Sequence, residues 1–351
     1  IERIETLSRF LLNADTINLN RNKINFIESN AFSNFLRLKY LFISDNQIRN
    51  ISFIQNLVSI ITLDMENNRI DVICRNDLHR LVNLENFDLK NNKIYFIEEN
   101  SFRNLVKLKN LDLTFNKIKT VDQLLRIDMI VTLILNFNYI HSINPIINSN
   151  NTYMGLKKLE IRYNNIESIH FDSLRNFTSL EELNLENNNL NDLDGRIFID
   201  LYNLTILDSE YNNLFFIRNR TFLHLRNLNT LNLAHNKIYL IESEAFRGLI
   251  KLKNLYLNNN FIKNIHSIIF RHLSNLDLID LKSNHIESIE KNTFFGLSQL
   301  KQLNLIDNQI QKLDMGSFEN LNLIQNLKLD NNFLFKSKEG FEDLRSVRNL
   351  T

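Results

Sequence analysis

A chain of 351 residues that is 44% hydrophobic has ample apolar material to bury, and its 6 Gly, 1 Pro and 1 Cys exclude collagen-like, glycine-rich and disulfide-stapled architectures. Lys and Arg number 41 against 40 Asp and Glu, interspersed along the whole length, so no nucleic acid is expected as partner, since that recognition needs a basic face. No apolar run approaches the roughly 20 residues that span a bilayer, and no direct membrane insertion is expected of this segment.

From the N-terminus, Ile1 and Ile4 look like the tail of a repeat, which makes 1–13 a partial unit. One Asn then recurs at Asn22, Asn46, Asn68, Asn92, Asn116, Asn138, Asn164, Asn188, Asn212, Asn236, Asn260, Asn284, Asn308 and Asn332. The steps are 24 residues, apart from 22 at Asn46–Asn68 and Asn116–Asn138 and 26 at Asn138–Asn164. Self-similarity at such a period is the mark of a stacked array, which grows by adding turns and needs no single globular core.

Each Asn closes the pattern L-x-x-L-x-L-x-x-N-x-[IL], of which Leu228-Asn-Thr-Leu231-Asn-Leu233-Ala-His-Asn236-Lys-Ile238 is a clean copy. The L-x-L alternation predicts a short strand buried on one face, and stacking places these strands side by side in a parallel sheet. Five residues after the Asn comes an aliphatic, as at Ile27, Ile97, Ile217 and Ile289. Ten after it comes Phe in many turns (Phe32, Phe102, Phe198, Phe222, Phe246, Phe270, Phe294 and Phe318), usually with Leu three further on. These columns are expected to form the opposite wall of the core. The recurring Asn is expected to be scaffold, its amide satisfying backbone groups of adjacent turns that would cost about 1–3 kcal/mol each if left unpaired.

The register loosens between Asn138 and Asn164, where Asn144-Pro145 leads to Tyr153-Met154-Gly155; a hinge, a glycan site or ordinary drift would each account for it, and drift is the expected cause. Cys74 is expected as a small buried side chain. At the C-terminus Ser337 replaces an aliphatic, while Phe341, Leu344, Val347 and Leu350 keep the spacing of a further turn one residue short, so 335–351 is also partial. The whole chain, 1–351, is expected to be one domain of about fourteen repeats, excised from a longer protein because no cysteine cap closes either end.

The full unit resembles the typical 24-residue class of leucine-rich repeat, as found in Toll-type receptor ectodomains, chaoptin-like adhesion proteins, slit-like guidance proteins and small leucine-rich proteoglycans. The resemblance implies an α/β-type repeat solenoid, a horseshoe with a concave parallel β-sheet and a convex face of loops and short helices. It also implies an extracellular or cell-surface location, as a receptor ectodomain or secreted binding or adhesion protein. A protein or glycan ligand is implied, and self-association into a dimer is left open. The alternative is an intracellular scaffold that regulates a bound enzyme.

Counting from the recurring Asn, the positions six, four, two and one before it and one after are expected to face solvent from the strand. The −1 column reads Phe115, Phe137, Tyr163, Asn187, Tyr211 and His235; Tyr139 and Phe261 add rings at +1 and Tyr256 at −4. Aromatic residues are enriched at protein interfaces, so the turns from Phe115 to Phe261 are expected to carry ligand contacts. The alternative is that the rings pack along the sheet edge against neighbouring turns. The acidic −4 column (Asp64, Asp88, Asp112, Glu160, Asp208 and Asp280) is expected to be scaffold.

Six N-glycosylation sequons begin at Asn50, Asn150, Asn176, Asn203, Asn219 and Asn349, all expected off the exposed strand face. With 59 Asn and 35 Ser plus Thr, about six are expected by chance, so their number says nothing of secretion. The eight His are scattered, and no nucleophile, phosphate-loop or metal-ligand motif occurs, so no catalysis, cofactor or metal is expected.

Overall fold

The computed structural model describes residues 1–5, 12–145, 155–319, 321–334 and 347–351, which fall into two compact units, Ile1–Asn165 and Ile166–Thr351. In the first, the strands Thr16–Asn18, Tyr40–Phe42, Thr62–Asp64, Asn86–Asp88, Asn110–Asp112, Thr132–Ile134 and Lys158–Glu160 pair in parallel, in chain order. In the second, Glu182–Asn184, Ile206–Asp208, Thr230–Asn232, Asn254–Tyr256, Leu278–Asp280, Gln302–Asn304, Asn326–Lys328 and Asn349–Leu350 do the same. Both are parallel-strand solenoids.

Register keeps like above like: Leu207, Leu231, Leu255 and Ile279 are successive partners and are fully buried. A one-residue slip would turn this aliphatic row to solvent, which fixes the pairing. The second half of each turn forms short two-residue ladders, such as Phe216–Ile217 with Leu240–Ile241 and Val72–Ile73 with Phe96–Ile97. Arg3–Ile4 pairs with Phe26–Ile27 in the same way, with Ile4 opposite Ile27.

The Asn ladder does the work expected of it. Asn236 donates from Nδ2 to the carbonyls of Ser209, Leu233 and Ala234 at 2.9, 3.2 and 3.1 Å, while its Oδ1 accepts the Leu214 N–H at 3.0 Å. One amide thus ties its own turn to the one before, in a column that stays buried from Asn46 to Asn308. Behind it, in the second unit, the rings of Phe222, Phe246, Phe270, Phe294 and Phe318 stack at 5.9–6.3 Å between centroids with planes within 9°.

Helix is scarce among the described residues: 3₁₀ turns at Ser52–Asn56 and Gly195–Phe198, and one α-helical turn, Arg75–Leu78. Cys74 is the residue before that turn and is exposed, not buried as expected, because its place in the repeat is a helix start and not an inward column. Its backbone N–H is held by the Asp77 carboxylate at 3.0 Å. Among the described residues no helix is long and apolar enough to cross a membrane. Most of the Pro145 loop, and Ser337, Phe341 and Leu344, lie outside the described residues, whereas Leu350 pairs with Leu327 as the spacing predicts.

Candidate binding surface

The strand proper covers only positions −6 to −4, as in Thr230–Asn232 before Asn236. The −1 residue therefore projects from the turn that follows, not from the strand as expected. There the backbone is left-handed: all fourteen −1 residues, from Arg21 to Asn331, have φ between 51° and 58°. The cause is a ladder. The −1 N–H donates to the −2 carbonyl of the next turn, as in Phe115 to Asn136 at 3.0 Å, Phe137 to Arg162 at 2.9 Å and His235 to Asn258 at 2.9 Å.

Left-handed backbone is uncommon for any residue but Gly, with Asn and Asp the best tolerated, and costs a bulky side chain about 1–2 kcal/mol. Asn67, Asn91, Asn187, Asn259 and Asn331 are the occupants this geometry favours. Phe115, Phe137, Tyr163 and Tyr211 hold the same φ without that advantage, so backbone preference does not explain them.

What they form is a surface. In the first unit Phe115, Phe137 and Tyr163 make a stack, with centroids 4.3 Å apart at each step and planes within 17°. They nonetheless remain 46%, 38% and 41% exposed. In the second unit Tyr211 and His235 stack at 4.1 Å. The rings pack on neighbouring turns and still face solvent.

The other expected site residues go elsewhere. Phe261 stacks at 5.5 Å on His285, a residue the sequence did not single out although it shares the +1 column. Tyr256 is half-buried within its strand, between Asn232 and Asp280 in register. Tyr139 does not join the stack; it stands on the flank with Tyr95, Lys117 and Lys119.

The acidic −4 column serves the fold. Asp64, Asp88 and Asp112 are register partners, and each Oδ1 accepts the N–H two residues on, from Glu66, Lys90 and Thr114 at 3.1, 2.9 and 2.8 Å. Burial, opposed by the Lys90 N–H and reinforced by Asp112, Asp64 and Glu66, pushes the Asp88 carboxyl up to about 6.

Of the sequon residues, Asn50, Asn176, Asn203 and Asn219 are exposed away from the three-residue strands. Asn203 already donates from Nδ2 to the Thr178 carbonyl at 2.9 Å. Asn349 corrects the expectation for all six: it lies in the final strand beside Asn326, to whose Oδ1 it donates at 2.6 Å, on the sheet face. Asn150 lies outside the described residues.

The repeat, its Asn ladder and its parallel strands define a class, and comparison agrees. The Leucine rich repeat family model matches at residues 13–70, 59–118, 82–140, 154–214, 202–260 and 250–310, and the chain belongs to the leucine-rich-repeat family. Among solved structures it is similar to one from the Toll–Spatzle complex of Drosophila, at 22% identity and a TM-score of 0.82, covering 94% of this chain and 46% of that one. It is also similar to one from the LRIM1/APL1C complex (22% identity, TM-score 0.70, 93% of this chain and 55% of that one). An internalin from Listeria monocytogenes matches at 21% identity and a TM-score of 0.66, over 98% of this chain and 88% of that one. These likenesses carry the fold, and the chain spans about half the length of the first two. None of the curated proteins matches it in sequence.

Proposed function

We propose that this chain is a recognition module, an extracellular receptor ectodomain or secreted binding or adhesion protein, that takes a protein ligand through the Phe115–Phe137–Tyr163 row. The observation behind it is three exposed rings on backbone that favours Asn. Stacked rings cover one another's electron-rich faces and leave their electropositive edges outward. Such a row suits carbonyls, carboxylates or the faces of aromatic side chains on a protein. It offers little to a sugar or nucleobase that must lie flat on a ring. Toll and LRIM1 were each solved in complex with another protein, which supports the same reading.

The test is a binding screen of the chain against displayed secreted and cell-surface proteins, repeated with Phe137 and Tyr163 both changed to Asn. Ligands taken by the row lose affinity by tenfold or more, on the order of two hot-spot rings, while the melting temperature holds. Ligands that bind both forms equally would remove the row from the reading.

A further inference from the structure

The first unit carries a second surface, on the flank where the chain leaves the sheet. Exposed Lys23, Arg69, Lys93 and Lys117 recur at the +1 position, joined by Lys119 at +3. Among the described residues none of these five has an ion-pair or side-chain hydrogen-bond partner, although the chain as a whole is balanced in charge. The column is rigid: the N–H groups of Arg69, Lys93, Lys117 and Tyr139 donate to Ile48, Ile70, Ile94 and Ile118 of the turn before at 2.8–2.9 Å. Arg69, Lys93 and Lys117 lie in adjacent turns, about 5 Å apart in backbone spacing, so their charges repel unless a counter-charge is supplied.

Beside Lys117 and Lys119 lies an open cavity of ≈ 580 Å³, walled by those two lysines, Tyr95 and Tyr139. The tyrosines are 59% and 51% exposed, and neither ring stacks on another among the described residues, unlike the rings of the −1 row. Free ring faces attract the weakly positive C–H surface of a pyranose, and ammonium groups attract its acid substituents. We propose that this cavity binds an anionic saccharide, carboxylated or sulfated, with sugar rings against Tyr95 and Tyr139 and acid groups on Lys117 and Lys119, the rest of the basic column extending the track. A long nucleic acid fits less well, because the chain as a whole is balanced in charge, at a net of only +1.

Biolayer interferometry of the full chain against a heparin-derived hexasaccharide tests it. The wild-type chain binds, more weakly as salt rises, and binds the desulfated hexasaccharide, which keeps only its carboxylates, more weakly. K117E/K119E lowers affinity about tenfold or more. Y95A/Y139A lowers it by a smaller factor at unchanged salt dependence. Thermal melts confirm that both variants fold, with K117Q/K119Q replacing the first if it does not. The proposal is overturned by absent binding, by equal binding of the desulfated sugar, by variants that bind as wild type, or by a single-stranded oligoribonucleotide that outcompetes the saccharide at these residues. None of these outcomes touches the Phe115–Phe137–Tyr163 row.

Discussion

Phe137 and Tyr163 lie ring on ring, 4.3 Å between centroids and 7° from parallel, each on a backbone with φ above 50°. Stacking recovers about 0.5–1.5 kcal/mol of what the left-handed backbone costs. The pair is held by each other as much as by the fold.

It follows that Phe137→Asn changes stability little, within about 0.5 kcal/mol, because the lost stacking is offset by relief of φ strain. Phe137→Val loses the stacking and keeps the strain on a β-branched residue, and destabilises by about 1–2 kcal/mol. Urea midpoints of the two variants check the contrast; equal losses would show that the backbone at −1 has no preference.

Asn236→Leu leaves the Leu214 N–H without its acceptor and removes the donor to Ser209, Leu233 and Ala234. Destabilisation of about 3 kcal/mol is expected, from buried polar groups at about 1–3 kcal/mol each. Solenoid turns depend on their nearest neighbours, so hydrogen exchange accelerates in the turns around 205–240 and stays slow beyond Asn284. Uniform acceleration would contradict the local role.

Asp88 makes stability depend on pH. Its folded carboxyl titrates at about 6, above its ordinary value of 3.8, so between those values the folded chain keeps a proton that the unfolded chain has lost. The contribution is favourable at the acid end and falls as pH rises through roughly 4 to 6. Asp88→Asn removes that loss and keeps an oxygen for the Lys90 N–H. Its melting temperature therefore exceeds wild type at pH 7 by more than at pH 4; an equal gap at both would contradict the raised carboxyl.

Gly248 and Gly316 both have positive φ, 103° and 83°, but differ in their surroundings. A Cβ on Gly248 would come within 2.7 Å of the Leu223 Cα, whereas one on Gly316 meets flexible ends of Lys291 and Glu319 at 3.3 Å. Gly248→Ala is expected to cost about 3 kcal/mol, at the high end for overpacking, and Gly316→Asn less than about 1 kcal/mol. Thermal melts of the two separate backbone crowding from φ alone.

Periodicity made the scaffold legible. Asn236 and Phe246 repeat at a fixed interval, and an interval is all that stacking needs. The left-handed −1 turn was also written in the chain, in the Asn, Asp and Ser that fill most of that column, but its meaning depends on a backbone angle no single copy of the repeat announces. Cys74 was misplaced because its unit starts a helix where others turn. The flank of Tyr95 and Tyr139 stayed hidden, since those two occupy different repeat positions two turns apart and meet only once the coil is wound.

In the second unit the phenylalanine rings sit about 6 Å apart while Tyr211 and His235 close to 4.1 Å. Strand spacing of about 4.8 Å lies between the two. Between Tyr211 and His235 the turns are thus packed more closely in front than along the phenylalanine column behind. The bulk of Phe246 and its fellows sets how tightly the frontal rings are squeezed, so trimming that rear column to Leu would loosen a ring pair that none of those residues touches.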